Sequence, residues 1–160
     1  MKKTLYIIPG WQETCRRKPY QAIVHIAESK GYEVVCKNID WKQPLTKQIF
    51  PVNPQDVIFG FSLGTILAWL VAQNYECKHI ILASMTPHSS FTDKKIRRSF
   101  SELVGVRFFS DMAKHVSISH LAKKQTIMYG QKEEVEANII VPNTGHTLTD
   151  AYIDAIQKLL

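Results

Sequence analysis

Three polar side chains with the chemistry of acyl transfer fall along this chain in an order that would let them act together. Ser62 stands in Gly60-Phe61-Ser62-Leu63-Gly64, where the apolar run Val57-Ile58-Phe59 gives way to a second apolar run from Thr65 to Ala72. A hydroxyl is a weak nucleophile until a base takes its proton, and the base must be oriented by a third group. A sharp strand-to-helix turn exposes the hydroxyl, and it requires the flanking glycines because a side chain at either would strike the neighbouring strand or helix. The base is expected beyond the last strand, where Val141-Pro142-Asn143-Thr144-Gly145-His146-Thr147 carries His146 on a glycine-containing loop. The acid is expected after the preceding strand, where Tyr129-Gly130-Gln131-Lys132-Glu133-Glu134 offers two carboxylates. Glu133 is preferred, and Glu134 takes the role if the turn is one residue longer. His25, His79, His88, His115 and His120 are read as structural or merely exposed.

Attack by Ser62 would place negative charge on an acyl oxygen, so amide donors must be aimed at it. The helix that follows Ser62 supplies one, the amide of Leu63. The loop after the first strand, Pro9-Gly10-Trp11-Gln12, supplies the second. Gly10 lets the backbone come close, and the amides of Trp11 and Leu63 then share one oxygen. On the substrate side Gly10, Phe61 and Met85 are the expected contacts, with Trp11 and Phe91 as further apolar wall.

The elements that must position these groups can be read from apolar runs bounded by turn residues. Leu5–Ile8, Glu33–Cys36, Val57–Phe61, His79–Ala83, Thr126–Tyr129 and Asn138–Val141 read as strands with the continuous apolar character of a parallel sheet buried on both faces. Helices are expected over Tyr20–Lys30, ended by Gly31, over Leu63–Tyr75, and over Thr149–Leu160. Two more, Asp93–Val104, capped by Thr92 or Asp93, and Ser110–Val116, are expected in the long connection before the fifth strand. Trp41 to Gln55 is expected to be irregular, because Pro44, Pro51 and Pro54 leave little room for a crossover helix. The alternation predicts an α/β fold: three αβα layers around an open, mainly parallel sheet of about six strands in the order 2-1-3-4-5-6. In such a sheet strands one and three lie side by side at the switch point, where ligands bind.

Size and composition agree with this. A chain of 160 residues, 45% hydrophobic and 21% charged, suits a single domain over residues 1–160 and excludes disordered, collagen-like and coiled-coil classes. The start MKKTLYIIPGWQ imitates a secretory signal, but Leu5–Ile8 is too short for its apolar core and reads as the first strand. Ile66 to Ala72 falls far short of the ~20 apolar residues a membrane span needs, and the expectation is a cytoplasmic protein without a membrane partner. Cys15, Cys36 and Cys77 are odd in number and lack CxxC spacing, so neither a disulfide framework nor a zinc site is expected, and no metal or organic cofactor is implied. The net charge of +6 includes Arg16-Arg17-Lys18 and Lys94-Lys95-Ile96-Arg97-Arg98. No aromatic residues interleave these clusters, so a solvated face is favoured over a nucleic-acid site.

With these residues in view, the chain resembles the α/β-hydrolase superfamily, in particular its small, cap-less bacterial serine hydrolases. The likeness runs through PGW at 9–11, GFSLG at 60–64, SMTP at 84–87, YGQKEE at 129–134 and NTGHT at 143–147. It implies Ser62 as nucleophile, Glu133 as acid, His146 as base and the amides of Trp11 and Leu63 as oxyanion hole. Pro9-Gly10 stands where many members have His-Gly, a glutamate replaces the commoner aspartate, and the family's first antiparallel strands and cap are absent. Without a cap, loops are expected to select the substrate. The leading expectation is hydrolysis of a small carboxylic ester or thioester through an acyl-Ser62 intermediate. The others are a thioesterase or acyltransferase docking an acidic acyl carrier on the basic clusters, and a hydrolase-fold protein used for binding alone.

Overall fold

The computed structural model describes residues 3–160, apart from the side chains of residues 88–90, which leaves Met1, Lys2 and the His88 side chain outside the described residues. Its sheet is built from β1 (Thr4–Ile8), β2 (Glu33–Cys36), β3 (Val57–Phe61), β4 (His79–Ala83), β5 (Gln125–Gly130) and β6 (Ile139–Val141). The order is β2-β1-β3-β4-β5-β6, and every neighbouring pair is parallel. Around it pack α1 (Lys18–Ser29), α2 (Gly64–Asn74), α3 (Pro87–Thr92), α4 (Lys94–Val104), α5 (Val106–His115) and α6 (Asp150–Leu159).

The unbroken apolar strands are divided between two layers by the two-residue period of the backbone. In β3, Val57, Phe59 and Phe61 pack with Tyr20, Ile23, Tyr152 and Ile153 of α1 and α6, while Ile58 joins the opposite cluster with Ile66, Leu70, Phe100 and Phe109. β4 divides the same way, Ile81 and Ala83 to one side, Ile80 and Leu82 to the other. β3 and β4 are buried at every residue, as expected of a parallel sheet. β2 and β6 are not, with Glu33, Cys36 and Ile140 exposed, because an edge strand lacks a neighbour on one side.

Register sets the strand ends level: Ile8 lies beside Gly60, Phe61 beside Ala83 and Gly130 beside Val141. The loops after β1, β3, β4, β5 and β6 therefore emerge along one edge. A buried carboxylate fixes the other end of the central strands. Asp56 is fully buried, one oxygen accepting from Thr4 N (3.0 Å) and the other from Asn53 N (2.8 Å).

Helix bounds differ from the sequence expectation for identifiable reasons. α1 starts at Lys18 because Pro19 suits the first turn of a helix, where no N–H partner is needed. Asp93 caps α4, its Oδ1 accepting from Lys95 N (2.8 Å) and Ile96 N (3.0 Å). α5 begins at Val106 rather than Ser110, directly after Gly105 with φ of 86°. α3 was not expected, because Pro87-His-Ser-Ser has the composition of a turn. Trp41 to Gln55 holds one short 3₁₀ turn, Leu45–Gln48, with Leu45 fully buried. The Gln48 amide ties it down, donating to Asp40 O (2.8 Å) and Gln43 O (3.0 Å). α2 is buried from Gly64 to Ala72, covered by the β4–β5 connection, where Trp69 Nε1 donates to Ser117 O at 2.9 Å. Among the described residues no helix is long and apolar enough to cross a membrane.

His79 opens β4 with 3% of its surface exposed and Nε2 2.8 Å from Thr126 Oγ1. Burial, reinforced by the charges of Lys124 and Lys78, pulls its pKa down from 6.5 to about 4. The unfolded chain then takes up this proton at a higher pH than the folded protein does. The contribution of His79 to stability is complete above pH 6.5 and is lost as pH falls toward 4. In urea unfolding, His79→Gln should lose less stability than the parent between pH 7 and pH 4.5, by about 2 kcal/mol.

Candidate active site

Ser62 follows β3 directly and adopts φ of 50°, the left-handed region, at a cost of about 1–3 kcal/mol for a residue with a side chain. The turn is held by Ser62 N donating to Ala83 O (2.8 Å) and by Thr65 N (3.0 Å) and Thr65 Oγ1 (2.8 Å) donating to Ser62 O. Neither flanking glycine can be replaced without moving backbone. A Cβ on Gly60 would lie 2.7 Å from Thr65 Cα, and one on Gly64 would lie 2.3 Å from Ile8 O and 2.4 Å from Pro9 O. The start of α2 is thus pressed against the end of β1, which brings the elbow beside the Pro9–Gln12 loop.

The loops after β5 and β6 interlock in the same manner. A Cβ on Gly130 would lie 2.3 Å from Thr144 O, and Lys132 N donates to that oxygen at 2.9 Å. Asn143, with φ of 55°, donates its N–H to Gln131 Oε1 at 3.1 Å. His146 is carried above Phe61, the ring centroids 5.6 Å apart. Its Nε2 lies 2.7 Å from Ser62 Oγ and its Nδ1 2.8 Å from Glu133 Oε1. A carboxylate only accepts, so Nδ1 carries the hydrogen and Nε2 is left to accept from the serine hydroxyl.

Glu133 ends the 3₁₀ turn Gln131–Glu133, and its side chain is 12% exposed. Its second oxygen accepts from Gly130 N (2.8 Å), Ser84 Oγ (2.8 Å) and Tyr152 OH (3.1 Å). Ser84 Oγ and Tyr152 OH are themselves 2.6 Å apart. Burial, with the Glu133 charge adding to it, pushes the Tyr152 phenol well above its ordinary pKa, so it stays a proton donor. Glu134 is exposed in the left-handed conformation that closes the turn, and no hydrogen bond joins it to His146.

Ser84 and Tyr152 were not singled out from the sequence. Ser84 has φ of 59° just after β4, the strand between those that carry Ser62 and Glu133, and a polar residue at that strand end was the available signal. Tyr152 gave no signal, since it falls on the apolar face of α6 with Ile153 and Ile156.

The amides of Trp11 and Leu63 donate to no protein acceptor among the described residues. The loop bearing Trp11 is braced from outside. Tyr20 OH donates to Glu13 Oε2 (2.5 Å) and accepts from Gly10 N (3.2 Å), and Glu13 pairs with Arg17. Gly10 serves close approach, because a Cβ there would lie 3.2 Å from Ser62 Cβ. Trp11 packs edge-on against Trp41 at 4.6 Å. Ser62 and His146 open into a cavity of about 500 Å³ walled by Trp11, Leu63, Met85, Phe100, Leu103 and Val135. Met85 is on that wall; Gly10 and Phe61 are not. Phe61 is 4% exposed and lies under His146 and against Tyr152, because an odd position of β3 faces α6. Helix α4 contributes Lys95, Ile96, Ser99, Phe100 and Leu103 to the wall, which corrects the expectation that loops alone would shape it.

Among the described residues no cluster of His, Cys, Asp or Glu could hold a metal ion. Cys15 is buried 3.8 Å from Ile7 O, and burial together with the nearby Cys36 thiol raises its pKa, which keeps it protonated.

Gly64→Ala should cost more than about 3 kcal/mol in urea unfolding, since the new methyl meets the backbone carbonyls of Ile8 and Pro9 rather than a movable side chain. Gly31→Ala, at φ of 79° with open space around it, should cost only about 1–2 kcal/mol.

No family model matches the sequence, and no curated protein is similar to it at a significant level. Among solved structures, the fold matches the crystal structure of the ydeN gene product from B. subtilis, with a TM-score of 0.57 and 11% sequence identity over 99% of this chain and 98% of that one. That protein has an α/β-hydrolase-like fold, and the likeness extends to this chain's fold.

Proposed function

We propose that the protein is a serine hydrolase that cleaves a small carboxylic ester or thioester through an acyl-Ser62 intermediate. The observation that carries this reading is the unbroken chain from Ser62 Oγ to His146 Nε2 (2.7 Å) and from His146 Nδ1 to Glu133 Oε1 (2.8 Å), ending on a strained serine beside two undonated amides.

Ser62 Oγ bonds to the acyl carbon while its proton passes to His146 Nε2. The imidazolium is held by Glu133, whose other oxygen keeps its three donors throughout. The carbonyl oxygen becomes an oxyanion, for which the amides of Trp11 and Leu63, with no protein acceptor among the described residues, serve as donors. Collapse breaks the ester bond, and the departing alkoxide or thiolate takes the proton from Nε2. Water then attacks the acyl-Ser62 carbon, gives its proton to Nε2, and the acid leaves as Ser62 recovers its hydrogen. The hydrogen-bonded line from hydroxyl to imidazole to carboxylate is also what separates this reading from a binding role, since binding alone gives no reason to align a base and a carboxylate on Ser62.

A second reading keeps the site and takes the acyl group from an acidic carrier. Lys94 and Lys95 favour it, having no ion-pair partner among the described residues, whereas Arg98 pairs with Glu102 and Arg17 with Glu13. A steep fall in rate with salt on a carrier-bound substrate, and none on a free ester, would select it.

Steady-state hydrolysis of a short nitrophenyl ester tests the main reading. Ser62→Ala and His146→Ala should lower kcat by at least about 10³-fold, and Glu133→Gln by about 10²–10⁴-fold, through loss of the tautomer that leaves Nε2 free. Hydrolysis that persists in Ser62→Ala would exclude Ser62 as the nucleophile.

A further inference from the structure

The cavity in front of Ser62 carries a pattern that narrows the substrate, on the reading that Ser62 is the nucleophile. Along α4, Ile96, Phe100 and Leu103 recur at the spacing of one helix face. Phe100 meets the needs of the core: it is 5% exposed and packs against Phe91 and Phe109, centroids 5.7 and 5.4 Å away. The same stripe continues where no protein covers it. Ile96 remains 46% exposed and Leu103 54%, and Val135, from the segment after the Glu133 turn, remains 41% exposed. All three line the cavity that holds Ser62 and His146. Exposed apolar residues are ordinary when scattered, but three gathered around one cavity and continuous with buried Phe100 form an apolar groove.

Charge in this cavity has one sign. Its lining includes Lys95 and no carboxylate. The ammonium of Lys95 has no ion-pair partner among the described residues, and the adjacent Asp93 turns its Oδ1 to the amides of Lys95 and Ile96. Arg97 lies over the Phe109 ring, so it is Lys95 that faces the groove. From Lys95 to Leu103 the helix rises about 12 Å, room for a medium-length chain beside a charged end.

We propose that the site takes esters or thioesters with an apolar acyl chain of medium length, laid along Ile96, Leu103 and Val135, and with an anionic group, phosphate or carboxylate, on the alcohol or thiol portion, met by Lys95. Acyl transfer to Ser62 then proceeds as above, with no additional reactant.

The test compares kcat/KM for acetyl and octanoyl esters, each made with 4-nitrophenol and with its carboxylated analogue 5-hydroxy-2-nitrobenzoate, in the parent, Leu103→Asp and Lys95→Gln. Both residues are exposed, so both variants should fold. Each methylene buried is worth up to about fourfold, so the parent should favour octanoyl over acetyl by at least about tenfold. Leu103→Asp should bring that ratio to within about twofold. The parent should favour the carboxylated leaving group by about fivefold at low salt, a preference that salt weakens and Lys95→Gln abolishes. A parent indifferent to chain length, or a leaving-group preference unchanged in Lys95→Gln, would overturn the proposal. Calorimetric binding of octyl phosphate against methyl phosphate separates this from the choice of nucleophile. Octyl phosphate bound more tightly, and lost in both variants, upholds the groove even if no ester is cleaved. Ester cleavage without such binding and without chain-length preference upholds the hydrolase and refutes the groove.

Discussion

The contact on which the rest depends is the seat of α2 against the end of β1. With Gly64 at the start of the helix, the place of a Cβ is already taken by the carbonyl oxygens of Ile8 and Pro9, at 2.3 and 2.4 Å. Only a residue without a side chain lets the helix follow the strand so abruptly. The abrupt turn in turn forces Ser62 to φ of 50°, lifts its hydroxyl out of the sheet, and leaves the first amide of the helix beside the loop that carries Trp11. Burial on both faces of α2 holds this in place, because the elbow cannot relax without withdrawing Ile66, Leu67 and Leu70 from the core. The strain at Ser62 is small beside the apolar surface that would be given back to water.

A second close approach joins Glu133 to His146. Gly130 lets β5 pass against Thr144, so that the turn bearing Glu133 and the loop bearing His146 are built on each other. A nearly buried carboxylate is costly unless its oxygens are satisfied, and here Oε2 receives a backbone amide and the Ser84–Tyr152 hydroxyl pair while Oε1 faces the imidazole. These donors fix the carboxylate beside the imidazole. Glutamate, one methylene longer than aspartate, reaches His146 from a short 3₁₀ turn lying directly after the strand.

Much of this was legible in the sequence because it rests on local rules. Alternating apolar runs and turns gave all six strands and their order, and Gly60 and Gly64 around Ser62 marked the elbow because their reason is steric. Glu133 was separable from Glu134 only by the tightness of the turn after Gly130, which depends on contact with Thr144, in the loop beyond the next strand. The parts played by Ser84 and Tyr152 were not legible for a similar reason: what makes them polar partners is a carboxylate brought to them by the fold. Phe61 was assigned to the substrate because it adjoins Ser62, yet the strand period directs it to the opposite layer, under His146. α3 was missed where turn-like composition is overridden by packing of Phe91 on Phe100 and Phe109, and α5 was begun too late because Gly105, which opens it, reads as a break.

The claim at the centre of this account is that His146 makes the Ser62 hydroxyl nucleophilic. Intact-mass measurement after exposure to a fluorophosphonate reads that property without requiring the natural substrate. The account predicts one adduct on the folded parent and none on Ser62→Ala or His146→Ala. A parent that stays unlabelled, or a Ser62→Ala protein that labels as the parent does, would contradict it.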